Sequence, residues 1–375
     1  MIELLQNLVK IKSISPNDFG CFDLIEDELS ELGFNCERIN YLNVENLYAT
    51  IGNSGKLFCF LGHTDVVPSG PEENWKYPPF SATIEDDLLY GRGVADMKGS
   101  VAAFIEASKD FLSFSKDLNF RLAILLTSNE EGTSEDGFID KIIENMIKDN
   151  EIIDFCLVGE PTSSKKIADC ARIGRRGSLG GHLKIYGRQG HIAYPEKIIN
   201  PISKSGDLIS KLSSKVWDKG NEAFDPTSFQ ISNIKSGTGA HNVVPGELEL
   251  TFNFRFSPES NEKTLKLKFE SLLNDLDINY DIVWDLNGTP YYTKNGLFRS
   301  IVSDSIKEIT GYLPEFNTKG GTSDGRFIAK MNAEIIELGP VNKSIHQINE
   351  HIKISELLKL KEIYSNILSK VNQAS

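Results

Sequence analysis

The sequence has few cysteines, and none of them is closely paired with another. The five cysteines are odd in number and widely separated, at Cys21, Cys36, Cys59, Cys156 and Cys170. A disulfide framework and a thiolate zinc cluster both require cysteines at paired or short spacings. We therefore expect free thiols, which are compatible with a reducing cytoplasm.

Long apolar runs and clusters of basic residues are also missing. No apolar stretch approaches the ~18 residues of a membrane-spanning helix. The N-terminal sequence MIELLQNLVKIKSIS lacks the basic start and unbroken apolar run of a signal peptide. Lysine and arginine number 40 against 53 aspartates and glutamates, a formal net charge of −13, whereas nucleic-acid binding depends on clustered basic residues. These absences predict a cytoplasmic protein that binds neither a membrane nor nucleic acid.

The pattern of apolar residues changes twice along the 375-residue chain. Before about residue 175, apolar runs such as KLFCFL at 56–61 and RLAILLT at 121–127 alternate with amphipathic stretches, as in an α/β domain with a mostly parallel sheet. After Gly177, alternating segments such as ELELTFNFRF at 247–256 are typical of one-sided antiparallel strands. The alternation of apolar runs with amphipathic stretches returns towards the C-terminus. The pattern predicts a catalytic α/β domain that is interrupted by an inserted α+β domain.

Histidines or carboxylates follow four of the apolar runs within a few residues. Ligands and catalytic groups of open α/β sheets gather at the carboxyl ends of strands. One acidic residue after a strand is usually a turn or a helix cap, but five from distant segments are harder to explain by capping. Carboxylates that meet at one sheet edge repel each other unless a cation neutralises them. The residues are His63 and Asp65, Asp96, Glu130 and Glu131, Glu160, and His346.

The ligand types favour particular metals. Two histidines with three or four carboxylates and no thiolate suit zinc, cobalt or manganese better than calcium. One carboxylate that bridges two ions ~3.5–4 Å apart is typical of a two-metal hydrolase. Side chains two residues apart in an extended segment face the same way, so we expect Asp65 to accept the second N–H of His63. Glu130 and Glu131 are expected to diverge, one binding metal and the other acting on water; the alternative is a solvated acidic turn.

Four motifs are similar to those of the dinuclear-zinc M20 aminoacylase/carboxypeptidase family. They are HTDVVPSG at 63–70, YGRGVADMKG at 90–99, TSNEEG at 127–132 and VGEP at 158–161, and the similarity extends over nearly the whole chain. The resemblance implies a hydrolase of amide bonds with two zinc ions, cobalt being possible in place of one or both. It also implies a homodimer, with a catalytic domain of residues 1–175 and 289–375 around a dimerisation (lid) domain of residues 176–288.

The resemblance further implies a role for each residue of the site. Asp96 would bridge the two ions, and Glu130 would be the general base that takes a proton from water. His191 would donate to the oxyanion from the inserted domain, and Asp65 would orient a metal-binding histidine. The other metal ligands would be His63 and Glu160 on one ion, and Glu131 and His346 on the second.

Within this family, further motifs resemble the members that hydrolyse N-succinyl-diaminopimelate in the biosynthesis of diaminopimelate and lysine. These motifs are RRGSL at 175–179, GRQGHIAYP at 187–195, KGGTSDGRFI at 319–328 and ELGPVNKSIHQINE at 337–350. A small substrate with several carboxylates needs fixed cations, and guanidinium groups bind carboxylates in a bidentate way. The expected substrate-binding residues are Arg175, Ser178, Tyr194, Asn242, Arg255, Thr322 and Asn342.

Two alternatives remain open at this point. A family member that deacetylates acetylornithine or cleaves dipeptides would use the same chemistry on another substrate. A binding module of a different class would use the acidic loops to hold a structural cation. Glu130 argues against the binding module, because it is an additional carboxylate that a purely structural metal site does not need.

Overall fold

The computed structural model describes residues 1–115, 117–132 and 138–375, which form two compact units. The first unit comprises Met1–Gly174, Tyr292–Asn317 and Ser323–Ser375, and the second comprises Arg175–Tyr291 and Thr318–Thr322. The insertion expected at residues 176–288 lies within the second unit. None of the helices in the described ranges combines the length and apolarity that a bilayer crossing requires.

The secondary structure alternates between helices and strands in the first unit and is richer in long strands in the second. The helices of the described ranges are α1 (Ile2–Lys10), α2 (Cys21–Glu31), α3 (Gly99–Phe114), α4 (Phe138–Lys148), α5 (Pro201–Ser214), α6 (Glu262–Asp275), α7 (Leu297–Thr310), α8 (Gly325–Ile328) and α9 (Ile354–Ala374). The strands are β1 (Asn35–Arg38), β2 (Asn46–Ile51), β3 (Leu57–His63), β4 (Thr83–Glu85), β5 (Leu88–Tyr90), β6 (Arg121–Thr127), β7 (Phe155–Val158), β8 (Cys170–Arg172), β9 (Gly174–Arg175), β10 (Gly177–Tyr186), β11 (Gly190–His191), β12 (Ser228–Ser236), β13 (Val243–Val244), β14 (Glu247–Phe256), β15 (Asn279–Gly288), β16 (Tyr291–Tyr292), β17 (Glu315–Asn317), β18 (Glu334–Glu337) and β19 (His351–Lys353).

An eight-stranded sheet forms the centre of the first unit, in the order β1-β2-β6-β3-β7-β18-β8-β17. The neighbours β6, β3, β7 and β18 are parallel, so their carboxyl ends reach the same edge of the sheet. β1 and β2 extend the sheet in antiparallel fashion beyond β6. This mixed, mostly parallel sheet, together with the antiparallel sheet of the second unit, confirms the predicted fold class.

Aromatic packing holds β3, the strand that ends at His63, against two helices. The ring of Phe104 in α3 stacks on the ring of Phe60 in β3 with centroids 4.2 Å apart, and Tyr364 of α9 meets both rings edge-on. α9 forms because its apolar residues recur every three or four positions and lie on one face. The buried residues of α9 are Leu357, Leu360, Ile363, Tyr364, Ile367, Leu368 and Val371.

The second unit contains a four-stranded antiparallel sheet in the order β12-β14-β10-β15. Alternate residues of β14 are buried, because successive side chains of a strand point to opposite faces. The ring of Phe252 in β14 stacks on Phe269 of α6 with centroids 4.6 Å apart. α5 begins at Pro201, where the side chain of Asn200 accepts the N–H of Ile202. This packing gives the second unit a hydrophobic core of its own.

Several strands were not predicted from the sequence. β15 is ten residues long and alternates between exposed and half-buried positions, with Asp281 and Asp285 among them. β2 lies between β1 and β6 and has only six residues. The reason is clear for β15: it is an edge strand with exposed acidic residues, and its apolar pattern is weaker than that of a central strand, so pattern alone does not reveal it.

Candidate metal centre

β3 ends at His63, which is buried at the carboxyl edge of the parallel strands. The Nδ1 atom of His63 lies 2.9 Å from the backbone oxygen of Asp65 and 3.5 Å from the Oδ1 atom of Asp65. The nearest acceptor is thus the backbone oxygen and not the carboxylate expected from the sequence. A carbonyl oxygen only accepts, so Nδ1 carries a proton and Nε2 faces the neighbouring carboxylates. A histidine that binds metal has this orientation.

The carboxylate of Asp65 holds the loop that follows β6. Its Oδ1 atom accepts the backbone N–H of Glu130 at 3.1 Å, and its Oδ2 atom accepts that of Glu131 at 3.0 Å. The hydroxyl of Ser15 also donates to Oδ2. Asp65 is fully buried, and it therefore fixes the backbone from which both glutamates project.

Asp96 directs its two carboxylate oxygens towards different histidines. Oδ1 lies 3.4 Å from the Nε2 atom of His63, and Oδ2 lies 3.3 Å from the Nε2 atom of His346. Asp96 is part of the helical turn Val94–Lys98 before α3, but its own backbone is extended, with φ −125° and ψ 93°. A carboxylate with one oxygen on each side is suited to bridging two ions.

Two groups of candidate ligands share Asp96. In one, His63, Asp96 and Glu160 bring their ligand atoms within 4.8 Å of each other, and in the other Asp96, Glu131 and His346 do the same. The Nε2 atom of His63 is 3.8 Å from Oε1 of Glu160, and that of His346 is 2.7 Å from Oε1 of Glu131. A third group of the same size contains His63, Glu130 and Glu131. The structure thus brings all of the predicted metal ligands together in the first unit.

His346 reaches the cluster from a strained segment after β18. Its backbone is left-handed, with φ 59°, a conformation that costs a non-glycine residue roughly 1–3 kcal/mol and persists where surrounding contacts enforce it. The carboxylates of Asp96 and Glu131 raise the pKa of His346 to about 10. Asn342, a predicted substrate-binding residue, lies four residues earlier in the turn Asn342–Ser344.

The electrostatics of the cluster fit a bound cation. Nε2 of His63 and Oδ1 of Asp96 are buried and form no hydrogen bond with any group in residues 1–115, 117–132 and 138–375. Burial and then Asp324 raise the pKa of Glu130 well above its ordinary value, and burial and then Asp96 do the same for Glu160. Carboxylates crowded around unpaired buried atoms are stabilised by a positive charge. The nitrogen and oxygen donors suit a divalent transition ion.

Three further predicted residues lie close together in the second unit. His191 is in β11, where its Nδ1 atom accepts the backbone N–H of Ala193 at 3.1 Å. The ring of Tyr194 meets the imidazole edge-on at 5.8 Å, and the backbone oxygen of Asn242 accepts the N–H of Ile192 at 3.1 Å. All three predicted side chains are exposed, so they are accessible to a ligand.

The other predicted residues of the second unit are more buried. Nη1 of Arg175 donates to the backbone oxygens at positions 319 and 321, at 3.0 and 3.3 Å. The hydroxyl oxygen of Thr322, in the same loop, is buried and has no hydrogen-bond partner within the described ranges. Ser178 in β10 and Arg255 in β14 are direct cross-strand partners. Within this unit, Arg175 thus contacts the loop that contains Thr322, and Ser178 lies opposite Arg255.

Two buried carboxylates beside the centre were not predicted. Asp324 lies in the KGGTSDGRFI motif at 319–328, from which only Thr322 was expected to take part in the site. Glu350 lies four residues after His346, and its carboxylate contacts the backbone of Asp96. Both belong to motifs that resemble the family, but a role for either requires contacts that only the folded chain shows.

Comparison with known proteins identifies the family. The sequence pattern of peptidase family M20/M25/M40 matches residues 59–370. The chain belongs to this family. The membership inferred from the motifs is thus confirmed.

Relatives of this M20/M25/M40 member align with it over nearly its whole length. Succinyl-diaminopimelate desuccinylase of Hydrogenovibrio crunogenus is 50% identical over 369 residues, which are 98% of this chain and 97% of that protein. The protein of the same name from Alkalilimnicola ehrlichii is 46% identical over 370 residues, 99% and 98% of the two chains.

Solved structures share the fold at lower identity. An M20-family metallo-carboxypeptidase from Sulfolobus solfataricus superposes with a TM-score of 0.84 at 21% identity, covering 100% of this chain and 99% of that one. A tripeptidase from Staphylococcus aureus gives a TM-score of 0.81 at 20% identity, covering 99% and 98%. These similarities concern the fold.

The shared carboxylate generates a prediction about metal content. We expect the protein to bind two divalent ions, and we expect Asp96→Ala to lose more metal than any other single ligand change, because Asp96 is shared by the group that contains Glu160 and the group that contains His346. Metal content is measured on demetallated and reloaded protein by elemental analysis. Asp169→Ala is the matched control, since Asp169 accepts backbone N–H groups at 164–166 away from the cluster. Retention of both ions by Asp96→Ala would contradict the bridging role.

Proposed function

We propose that this protein hydrolyses the amide bond of N-succinyl-L,L-2,6-diaminopimelate to succinate and L,L-2,6-diaminopimelate, using two zinc ions or cobalt in place of one or both. The observation that carries the chemistry is the sharing of Asp96 between two groups of candidate ligands. The substrate is supported by relatives that are named for this reaction and align from end to end. Free thiols at all five cysteines suit an enzyme of the cytoplasm.

Each half of the centre has its own histidine and its own glutamate. The two ions, when bound, would act as Lewis acids on the amide carbonyl and would lower the pKa of a water molecule. Asp96 would help to hold both ions. The remaining ligands would be His63 and Glu160 on one side and Glu131 and His346 on the other.

Glu130 is suited to the transfer of protons. It lies outside the two groups that share Asp96, and Asp65 holds its backbone N–H. Burial and Asp324 raise its pKa, so its carboxylate binds a proton more tightly than a solvated glutamate does. A general base must accept a proton from water and return it to the leaving amine, and the raised pKa favours the first of these steps.

Cationic groups of the second unit are suited to binding the carboxylates of the substrate. Arg255 is half-buried. Burial and the neighbouring Arg176 lower the pKa of Arg255, so a ligand carboxylate would stabilise its charge. We assign carboxylate binding to Arg175 and Arg255, with polar contacts from Ser178, Tyr194, Asn242, Thr322 and Asn342.

We further propose that two copies of the chain form a homodimer through their second units, which would be the dimerisation domain of residues 176–288. β12 is an edge strand of its sheet, and an unpaired edge is a template for pairing with another chain. Ile234 of β12 is 58% exposed, and Val283 of β15, the strand at the opposite edge of the sheet, is 67% exposed. Exposed apolar residues beside an open strand edge are typical of an association surface.

A panel of substrates tests the proposed activity. We expect kcat/KM for N-succinyl-diaminopimelate to exceed that for acetylornithine or a dipeptide by at least ~10²-fold, because a site built around fixed polar groups rejects ligands that leave them unpaired. Arg255→Met should raise KM for the succinyl substrate. Lys263→Met, which removes an exposed cation from α6, should not. Equal or faster turnover of acetylornithine would contradict this substrate.

Neighbouring glutamates provide a test of the assignment of base and ligand. We expect Glu130→Gln to retain both ions and to lose ~10²–10⁴-fold of kcat, the range for removal of a general acid–base group. Glu131→Gln should instead weaken metal binding, because Glu131 contacts His346 in one ligand group. Metal content and kcat are measured on the same preparations. The opposite pair of results would mean that the two roles are exchanged.

A subunit-mixing experiment tests whether the oxyanion donor comes from the partner. An oxyanion donor must lie ~3 Å from the oxygen that it stabilises, and His191 is exposed in the second unit. We expect His191→Ala and Glu130→Ala chains, each inactive alone, to regain activity when mixed, because a mixed dimer has one site with both residues. Exchange is verified with differently tagged chains. Absence of recovery after exchange would indicate that His191 serves its own chain, leaving the metal chemistry unaffected.

A further inference from the structure

Glu350 connects two segments of the candidate metal centre. It is fully buried and lies just before β19, four residues after His346. Its Oε1 atom accepts the backbone N–H of Ala95 at 2.9 Å and that of Asp96 at 3.2 Å, and its Oε2 atom accepts that of Gly93 at 3.0 Å. One carboxylate thus binds three backbone donors of the turn that carries Asp96.

The charge of Glu350 is balanced by a buried arginine. Nη1 of Arg92 donates to Oε2 of Glu350 at 2.7 Å. The guanidinium lies over the ring of Trp75 at 5.2 Å from its centroid, and Nη2 donates to the backbone oxygen of Pro68 at 3.3 Å. A buried carboxylate is retained only when it is paired and hydrogen-bonded, and here Arg92 and the backbone donors satisfy both oxygens.

The local backbone explains why Asp96 needs an external acceptor. Asp96 has φ −125° and ψ 93°, so it lies outside the regular helix and its N–H has no helical carbonyl to bind. Glu350 supplies the acceptor in its place. His346 lies four residues before Glu350 in the chain, and its Nε2 atom is 3.3 Å from Oδ2 of Asp96. A carboxylate that is to serve two ions tolerates little displacement, because its two oxygens face different histidines.

We propose that Glu350 is a positioning residue that fixes the backbone of Asp96 relative to His346 and thereby sets the affinity of the centre for its ions. This inference rests on the proposed metal centre. Outer partners of metal ligands typically contribute 10–100-fold in metal affinity, and Glu350 acts on the ligand that both halves share. Its effect should therefore extend to both ions.

Titration of the demetallated protein with zinc by calorimetry, and with cobalt by visible absorption, measures this role. In Glu350→Gln, an amide NH2 group replaces one carboxylate oxygen. It then faces backbone N–H groups or Arg92, which are also donors, so hydrogen bonds are lost. Glu350→Asp keeps the charge but withdraws the oxygens by one methylene. We expect both variants to bind ions ~10–100-fold more weakly and to show an altered cobalt spectrum. Glu334→Gln is the matched control: Glu334 accepts the N–H groups of Leu297 and Phe298 at the start of α7, so this change should lower only the melting temperature.

The outcomes separate this inference from the proposed function. If the unchanged protein does not bind two ions, the metal centre itself is wrong. If it binds two ions and the folded variants bind them with unchanged affinity, only the role of Glu350 is overturned. Should Glu350→Gln fail to fold, the titration of Glu350→Asp decides. If neither variant folds, Glu350 serves the fold and the positioning role is rejected.

Discussion

Crowding of carboxylates at one edge of the central sheet is the constraint on which the remaining structure depends. Two like charges 4 Å apart repel by about 4 kcal/mol at an effective dielectric constant of 20, and burial adds to that cost. Burial first, and this repulsion second, raise the pKa values of Glu130 and Glu160. An arrangement of this kind is stable only when cations neutralise it and when the surrounding chain holds each carboxylate in place.

Contacts outside the cluster provide that restraint at three points. Asp65 fixes the backbone of the two glutamates after β6, and Glu350 fixes the turn of Asp96. At the third point, the hydroxyl of Ser13 donates to the backbone oxygen of Thr64, directly after His63, at 2.7 Å. In each case the restraint acts on the backbone and leaves the ligand atoms free. The chain can thus present ligand atoms on a rigid frame, including Nε2 of His63 and Oδ1 of Asp96, which form no hydrogen bond within the described ranges.

Features that depend on a local pattern of apolar residues could be predicted from the sequence, whereas features that depend on contacts between distant segments could not. The central strands β3, β6, β7 and β18 were predicted because strands buried on both faces read as continuous apolar runs, and the polar residues after them indicated the candidate centre. Glu350 was not predicted, since its partner Asp96 lies 254 residues away in the chain. A single sequence contains no signal for a hydrogen bond between such distant segments. The edge strand β15 was missed for another reason, namely that its exposed residues are largely polar.

The residues that we propose for metal binding and proton transfer lie in a different unit from most of those that we propose for substrate binding. The candidate metal ligands and Glu130 all belong to the first unit, whereas His191 and the arginines expected to bind carboxylates belong to the second. A metallo-carboxypeptidase and a tripeptidase share the fold at 21% and 20% identity. A common fold therefore does not determine the substrate, which depends on particular side chains. If the ligands reside in one unit, side chains of the other can change without disturbing the metal site, and this arrangement allows substrate preference to diverge while the hydrolytic chemistry is retained.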